Sequence, residues 1–500
     1  MNPDAHAISF VPPPYYRDHH VGGRPVLPAV EAMELLLNHA RRYVPEAGAW
    51  ALSDIRFDKF LFLERAEPPS VFACIAPGDN GIRSCALTSR FSSPGATITR
   101  TLTHASLTLG HDPPEAPEPP METVACLTGL ITDVDPDRIY REMVPFGPAY
   151  RNIRHLLLSP DGALARVGSP EPPDPRTGLF LGSPYVLDAA FHAACVWCQR
   201  FCNTVAFPVA LKHRTVIRPT GPDDCYTARI VPVRTGESHF VFDIFIYDNA
   251  GRLREAAINV EMRDVSGGRT PPPQGFWQPV ADDPLDALRR RVAGMELVER
   301  EAVAGFAAAA LSQNEQRRLP PMTPTRATGY LSSRLALKRL SRRLSGVGDR
   351  RPAHAIETVA EDGRTPQCPL ADHTRPSCSV AHDRRFTVAV AADRPVGVDV
   401  EPLSDKPLRA PDLFMDAAEQ EAIGQSPETR AAAALRVWSA KEAVAKASGL
   451  DLVDVWRRVR AVTVTTGQSR LIMDGGLEMT AWHALTEGHL FTLLTMERQP

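Results

Sequence analysis

Long apolar runs are missing from this chain: every hydrophobic stretch in its 500 residues breaks off well before the ~18 consecutive apolar residues that a membrane-spanning helix needs. A secretion-type start is missing too, because Met1-Asn2-Pro3-Asp4-Ala5-His6 brings an acid early and no apolar stretch behind it. There is no excess of charge: 56 Lys and Arg against 59 Asp and Glu leave a formal net charge of −3, and a pI near 6.6 gives no general attraction to nucleic acid. The nine cysteines are odd in number and irregularly spaced, which suits reduced thiols better than a disulfide framework. No close internal repeat is visible. The expectation is a cytoplasmic protein of roughly two to four domains, with no membrane span and no nucleic-acid partner. Its 43% hydrophobic residues are ample for packed cores.

Proline marks the joints. Ser266-Gly267-Gly268-Arg269-Thr270-Pro271-Pro272-Pro273-Gln274-Gly275 reads as a linker with few ways to form regular structure. Upstream, Pro113-Pro114-Glu115-Ala116-Pro117-Glu118-Pro119-Pro120 splits the first half into two parts of similar size. Each part carries one apolar helix pattern and several alternating strands, such as His239 to Tyr247 closing on the turn Asp248-Asn249-Ala250-Gly251. That order predicts an α+β duplication.

Chemistry concentrates near the C-terminal end. Val396-Gly397-Val398-Asp399-Val400-Glu401 reads as a strand, whose period of two puts Asp399 and Glu401 on one face, roughly 6.6 Å apart. Trp438-Ser439-Ala440-Lys441-Glu442-Ala443-Val444-Ala445-Lys446 reads as a helix on which Trp438, Glu442 and Lys446 share a face beside Lys441. Three carboxylates with lysines nearby suit a hard cation that also holds a phosphate-bearing substrate, the usual arrangement for magnesium. In this order and separation the two segments resemble the signature of the Sfp-type 4'-phosphopantetheinyl transferases. The resemblance implies Asp399, Glu401 and Glu442 as Mg2+ ligands, with Glu442 helping to deprotonate the attacking hydroxyl. Lys446 and Lys441 fall where the family approaches the coenzyme A phosphates and the acceptor. Gly329-Tyr330-Leu331-Ser332-Ser333-Arg334-Leu335-Ala336-Leu337-Lys338 resembles the family's early basic helix, with Arg334 and Lys338 gripping the 3'-phosphate, and His382 resembles a histidine on that same phosphate. Ala381 stands where the family has serine, and Arg364-Thr365-Pro366 where a compact G-K/R-P is usual.

The first half has its own set. His19-His20-Val21-Gly22-Gly23-Arg24-Pro25-Val26-Leu27-Pro28 matches H-x-x-x-G-x-x-x-x-P and leads into a helix pattern around Ala32, Leu35, Leu36 and Ala40. Phe146-Gly147-Pro148-Ala149-Tyr150 follows, and then Leu187-Asp188-Ala189-Ala190-Phe191-His192, a D-x-x-x-H that opens another apolar helix. These pieces resemble, in order, the motifs of polyketide-synthase dehydratase domains, whose double hotdog fold pairs a histidine from the first hotdog with an aspartate from the second. Dehydrating a β-hydroxyacyl thioester needs one group to take the α-proton and another to protonate the leaving hydroxyl. His19 would be the base and Asp188 the acid, with an apolar surrounding raising its pKa. His192 would orient that carboxyl, and Gly23 would let backbone approach the thioester. A zinc reading of His192, Cys195, Cys198 and Cys202 fails, because four ligands on one continuous helix cannot close a tetrahedron.

The expected fold is therefore α+β: a double hotdog over 1–265, its halves near 1–112 and 121–265, a linker at 266–280, and a pseudo-twofold transferase domain over 281–500. The expected function is transfer of phosphopantetheine from coenzyme A to an acyl carrier protein serine, together with dehydration of β-hydroxyacyl carrier thioesters. Dehydratase followed by transferase also resembles the carboxyl end of enediyne-type and polyunsaturated-fatty-acid-type synthases. The alternative is an active transferase whose hotdog half is a carrier-docking module, a thioesterase or an isomerase. Homodimerisation is left open.

Overall fold

The computed structural model describes residues 4–8, 10–42, 51–63, 70–77, 83–92, 99–109, 119–171, 179–279, 283–346, 348–363 and 365–497. By contacts the chain divides into two units, 1–118 with 132–279, and 119–131 with 280–500.

The first unit contains β1 (Asp4–Ile8), β2 (His20–Val21), β3 (Arg24–Pro25), β4 (Ala51–Phe57), β5 (Val71–Pro77), β6 (Arg83–Ser92), β7 (Thr99–Leu109), β8 (Thr132–Val134), β9 (Ile153–Ser159), β10 (Gly162–Ser169), β11 (Phe207–Val216), β12 (Asp224–Thr235), β13 (His239–Tyr247) and β14 (Leu253–Arg263). All but the small hairpin β2–β3 join one 12-stranded sheet in the order β1-β5-β6-β7-β4-β11-β14-β13-β12-β10-β9-β8. The two halves of this sheet meet where β4 pairs antiparallel with β11, Ile55 opposite Leu211. Each half packs against one helix. Ala29–Ala40 buries Val30, Met33, Leu36, Leu37 and Ala40, a stripe at helical spacing. Pro184–Cys202 is buried on nearly every side, as an inner helix must be; it starts with Pro184 in its first turn and ends on Asn203 at a left-handed φ of 52°. This is the expected hotdog architecture, two strand-wrapped helices in one α+β unit.

The joints differ from their sequence reading. Residues 266–279 belong to the first unit, anchored by Phe276, which is 5% exposed in its core and has the Arg138 guanidinium 5.4 Å from its ring. Arg200 holds the same segment, donating to Phe276 O at 3.1 Å and accepting from Gln278 N at 3.1 Å, so the proline-rich stretch is tied to the first unit. Residues 119–131 belong to the second unit, although the second hotdog was expected from 121. Val124, Ala125, Cys126 and Leu127 are fully buried there. Ala304 N donates to Ala125 O at 2.8 Å, Gly129 N donates to Leu297 O at 2.9 Å, and Glu122 is ion-paired with Arg342. The Pro113 to Glu118 part of the upstream joint and Arg364 lie outside the described residues.

The second unit contains β15 (Gly294–Glu299), β16 (Ser377–His382), β17 (Phe386–Ala392), β18 (Val396–Pro402), β19 (Val459–Val464), β20 (Gln468–Met473), β21 (Leu477–Thr486) and β22 (His489–Thr495). They form a sheet β15-β17-β16, packed by helix Pro324–Ser345, and a sheet β18-β22-β21-β20-β19, packed by helix Arg430–Ser448. Gly397 explains its place in the strand motif: a Cβ there would run into the carbonyl oxygen of Ala443. The missing side chain lets β18 press against the helix that carries Glu442. Among the described residues no helix is long and apolar enough to cross a membrane.

Candidate active sites

In the first unit, His19 follows a short 3-10 turn, Pro14–Asp18, while Asp188 and His192 lie one turn apart on the inner helix. His19 Nε2 stands 3.8 Å from Asp188 Oδ1, and His192 Nε2 approaches Asp188 Oδ2 at 2.9 Å. Tyr140, which the sequence did not single out, fixes the tautomer. Its hydroxyl accepts from the backbone N–H groups of Asn152 and Ile153, both at 2.9 Å, so its own hydrogen is free for His192 Nδ1 at 3.5 Å. The hydrogen of His192 then sits on Nε2, the nitrogen 2.9 Å from Asp188 Oδ2, a contact that lacks the alignment of a hydrogen bond.

The Phe146-to-Tyr150 motif is the support beneath His19. Phe146 lies 4.3 Å and Tyr150 5.2 Å from the His19 ring, centroid to centroid. Asp18 clamps this loop, accepting from Ala149 N through Oδ2 at 2.9 Å and from Gly147 N through its backbone oxygen at 2.7 Å. A Cβ at Gly147 would strike the Asp18 carboxyl. Gly23 has a different role from the one expected. With φ of 58° and 76°, Gly22 and Gly23 close the exposed tip of the β2–β3 hairpin, and nothing lies near either of them.

A cavity of about 540 Å³ opens onto this group. Val26, Leu27, Leu61, Val144 and Phe191 are among the apolar residues that line it, and His19, Asp188 and His192 supply polar atoms. Burial pushes the His19 imidazole down to about 4 against the opposing pull of Asp188. Burial alone would push the Asp188 carboxyl up, but His192 and His19 outweigh it and leave it below the ordinary carboxylate range. The expected raised Asp188 is thereby corrected, because the two imidazoles beside the carboxyl outweigh the apolar surrounding that was expected to raise it.

In the second unit, Asp399, Glu442 and Lys446 come together. Lys446 Nζ lies 2.9 Å from Asp399 Oδ1, 3.0 Å from Val398 O and 3.8 Å from Glu442 Oε2. Burial, Asp399 and Glu442 push the Glu401 carboxyl up to about 7, and burial and Asp399 raise Glu442 as well. Crowded carboxylates on hard oxygen donors fit a divalent cation. They stand open, however. Among the described residues the one trio whose ligand atoms all lie within 4.8 Å of one another is His19, Asp188 and His192, and Lys446 holds the Asp399 oxygen instead.

A cleft of about 480 Å³ runs from Glu401 to His382, Arg385 and His489. Arg300, which no motif flagged, donates to His382 Nδ1 at 3.1 Å, and burial together with this guanidinium lowers the His382 imidazole. Three expected phosphate contacts are corrected. Lys338 is fully buried, donating to Ala353 O at 3.0 Å and pairing with Glu315 at 2.8 Å. Lys441 is fully buried as well, 2.8 Å from Glu419 and 2.5 Å from Phe414 O. Arg334 is 7% exposed and spends one nitrogen on Thr358 O at 2.7 Å. In each case the cation serves an inward-facing partner that arrives from a distant segment.

Comparison with known proteins also separates a first half from a second, although the match over 118–272 takes in residues 119–131, which by contacts belong to the second unit. Residues 6–90 match the family described as polyketide synthase dehydratase domain, residues 118–272 the polyketide synthase dehydratase N-terminal domain, and residues 395–494 the 4'-phosphopantetheinyl transferase superfamily. Polyketide synthase ThaG of Burkholderia thailandensis is 27% identical over 274 residues, 51% of this chain. The chain spans 4% of that relative's length. The dehydratase domain from the CurJ module of curacin polyketide synthase matches at 20% identity over 50% of this chain and 86% of its own, with a TM-score of 0.41. A trans-AT polyketide synthase dehydratase domain from Brevibacillus brevis matches at 19% identity over 53% of this chain and 94% of its own, with a TM-score of 0.42. The chain thus carries polyketide synthase dehydratase domains in its first half and a 4'-phosphopantetheinyl transferase superfamily domain in its second.

Proposed function

We propose that this chain is a bifunctional enzyme of polyketide or fatty-acid-type biosynthesis, which loads a carrier protein with phosphopantetheine and dehydrates the β-hydroxyacyl thioester carried on that arm. The observation that carries the reading is that each motif set comes together in its own unit, His19 with Asp188 at 3.8 Å in one and Lys446 with Asp399 at 2.9 Å in the other. Acyl carrier protein, coenzyme A and Mg2+ are the implied partners. The cytoplasm is the implied location, in keeping with nine free cysteines.

In the transferase reaction a carrier serine hydroxyl attacks the β-phosphate of coenzyme A, and 3',5'-adenosine bisphosphate leaves. Asp399, Glu401 and Glu442 would hold Mg2+, which when bound neutralises charge on the pyrophosphate. Glu442 accepts the serine proton. Lys446 turns from Asp399 to the phosphates, and Arg300 with His382 grips the 3'-phosphate in place of the buried Arg334 and Lys338. In the dehydratase reaction His19 takes the α-proton and Asp188 protonates the β-hydroxyl, which leaves as water as the double bond forms. His192, backed by Tyr140, holds Asp188 in line. A half-buried histidine facing a buried acid on the wall of a largely apolar cavity favours this chemistry over a docking-only hotdog.

The test is intact-mass analysis of carrier proteins incubated with coenzyme A, Mg2+ and the full chain. Gain of the phosphopantetheine mass is expected, followed by loss of water from a β-hydroxyacyl arm. No gain with any carrier overturns the transferase half of the reading.

A further inference from the structure

Behind the carboxylates of the second unit runs a buried polar chain. Ser439 Oγ lies 2.8 Å from Asp399 Oδ2 and 2.8 Å from Thr492 Oγ1. Thr492 Oγ1 is 3.0 Å from His483 Nδ1, and His483 Nε2 is 2.8 Å from Ser469 Oγ. The sheet sets the order, since Asp399 faces Thr492 between β18 and β22, and Thr492 faces His483 between β22 and β21. Ser439, Thr492 and Ser469 are fully buried, and Asp399 and His483 nearly so.

The carboxylate end fixes every hydrogen. A carboxylate only accepts, so the Ser439 hydroxyl donates to Asp399 and must itself accept from Thr492. Thr492 has then given its hydrogen away and accepts from His483 Nδ1–H, which leaves Nε2 to accept from Ser469. The ring has to be neutral for this, and burial with Arg436 nearby pushes it down to about 3. Every donor in the row points toward one oxygen of Asp399, and such chains strengthen one another in a low dielectric. The other oxygen, Oδ1, meets Lys446.

We propose that this Ser469–His483–Thr492–Ser439 row is a positioning device that ties down Asp399 Oδ2, so that Oδ1 alone is presented to a divalent cation. The inference rests on the transferase reading of the second unit. Its consequence is selectivity. A carboxylate free to turn can offer both oxygens, which suits the larger Ca2+, whereas a single fixed oxygen suits the strict octahedral geometry of Mg2+.

The test uses the full chain. Thr492→Val is nearly isosteric and removes the hydroxyl at the centre of the row, Thr492→Ser keeps it, and Ser439→Ala cuts the row at the carboxylate. Mg2+ and Ca2+ affinities are measured by titration calorimetry without coenzyme A, and unfolding temperatures alongside. Loss of an outer partner typically costs about 10- to 100-fold in metal affinity. That loss is expected for Mg2+ in Thr492→Val and Ser439→Ala, with a smaller loss for Ca2+ and near-normal binding in Thr492→Ser. If Thr492→Val folds poorly, Ser439→Ala decides, since it leaves every strand side chain in place. Normal Mg2+ binding in the decisive variant, even with a lowered unfolding temperature, overturns the inference and leaves the transferase reading standing. Absence of Mg2+ binding in the unaltered protein overturns both.

Discussion

Lys446 Nζ lies 2.9 Å from Asp399 Oδ1, so a lysine four residues after Glu442 on the same helix balances the carboxylate set from within the chain. In the proposed transferase reaction, removing a carboxylate there would leave the pyrophosphate of coenzyme A poorly neutralised. Asp399→Ala and Glu442→Ala should each lower carrier loading by ~10²- to 10³-fold, the scale of losing one aimed electrostatic contact. Far-UV circular dichroism should stay unchanged. Loading at near-normal rate in either variant, followed by mass spectrometry, would remove that residue from the reaction.

Lys441 and Lys446 sit five residues apart and should behave oppositely. Lys441 and Glu419 are both buried, and taking one partner from a buried ion pair costs roughly 3–5 kcal/mol because the other charge is stranded. Lys441→Met should therefore lower the unfolding free energy by about that amount. Lys446→Met should instead fold normally and lose transfer activity. Urea unfolding followed by tryptophan fluorescence distinguishes the two; a stable, transfer-dead Lys441→Met would return that lysine to the phosphate site.

This contrast marks the limit of what the sequence made legible. The meeting of His19 with Asp188, and of Asp399 and Glu442 with Lys446, was legible because strand and helix periods, fixed offsets to Gly and Pro, and neighbouring motifs restrict where these residues point. Lys338, Lys441 and Arg334 were misjudged because a helix face does not reveal whether a cation reaches solvent or an acid such as Glu315 or Glu419 folded in from elsewhere. Arg300 follows the end of β15 outside any motif, and only the fold brings it to His382. The row ending at Ser439 depends on strand register, which no single segment encodes.

The buried contacts of residues 119–131 lead to a prediction about fragments. Residues 280–500 alone look like a complete transferase in sequence, yet they would lack the segment that buries Val124, Cys126 and Leu127 and pairs Glu122 with Arg342. Burying one such apolar side chain contributes about 1.5–3 kcal/mol, so the fragment should be markedly less stable than the same unit in the full chain. Adding a peptide of residues 119–131 should raise its unfolding temperature in a dose-dependent way. Equal stability with and without the peptide would mean that the segment is a passenger.

The pH dependence of the first unit follows from its two shifted groups. His19 is held down to about 4 and Asp188 below the ordinary carboxylate range, so near neutrality the pair carries no proton: the base is ready and the acid is not. Asp188 must gain a proton before the β-hydroxyl can leave as water, and kcat/KM reports the groups of the free protein. Only the fraction of protein holding that one proton is competent. That fraction shrinks by about tenfold for each pH unit above the His19 value, so kcat/KM for dehydration should fall about 100-fold from pH ~6 to pH ~8. Carrier loading by the same protein serves as the internal control for unfolding. His19→Ala and Asp188→Asn should each remove ~10²- to 10⁴-fold of dehydration while loading persists. A flat profile over that range would show that the departing hydroxyl takes its proton from another group, and Asp188 would then be a positioning residue for His19.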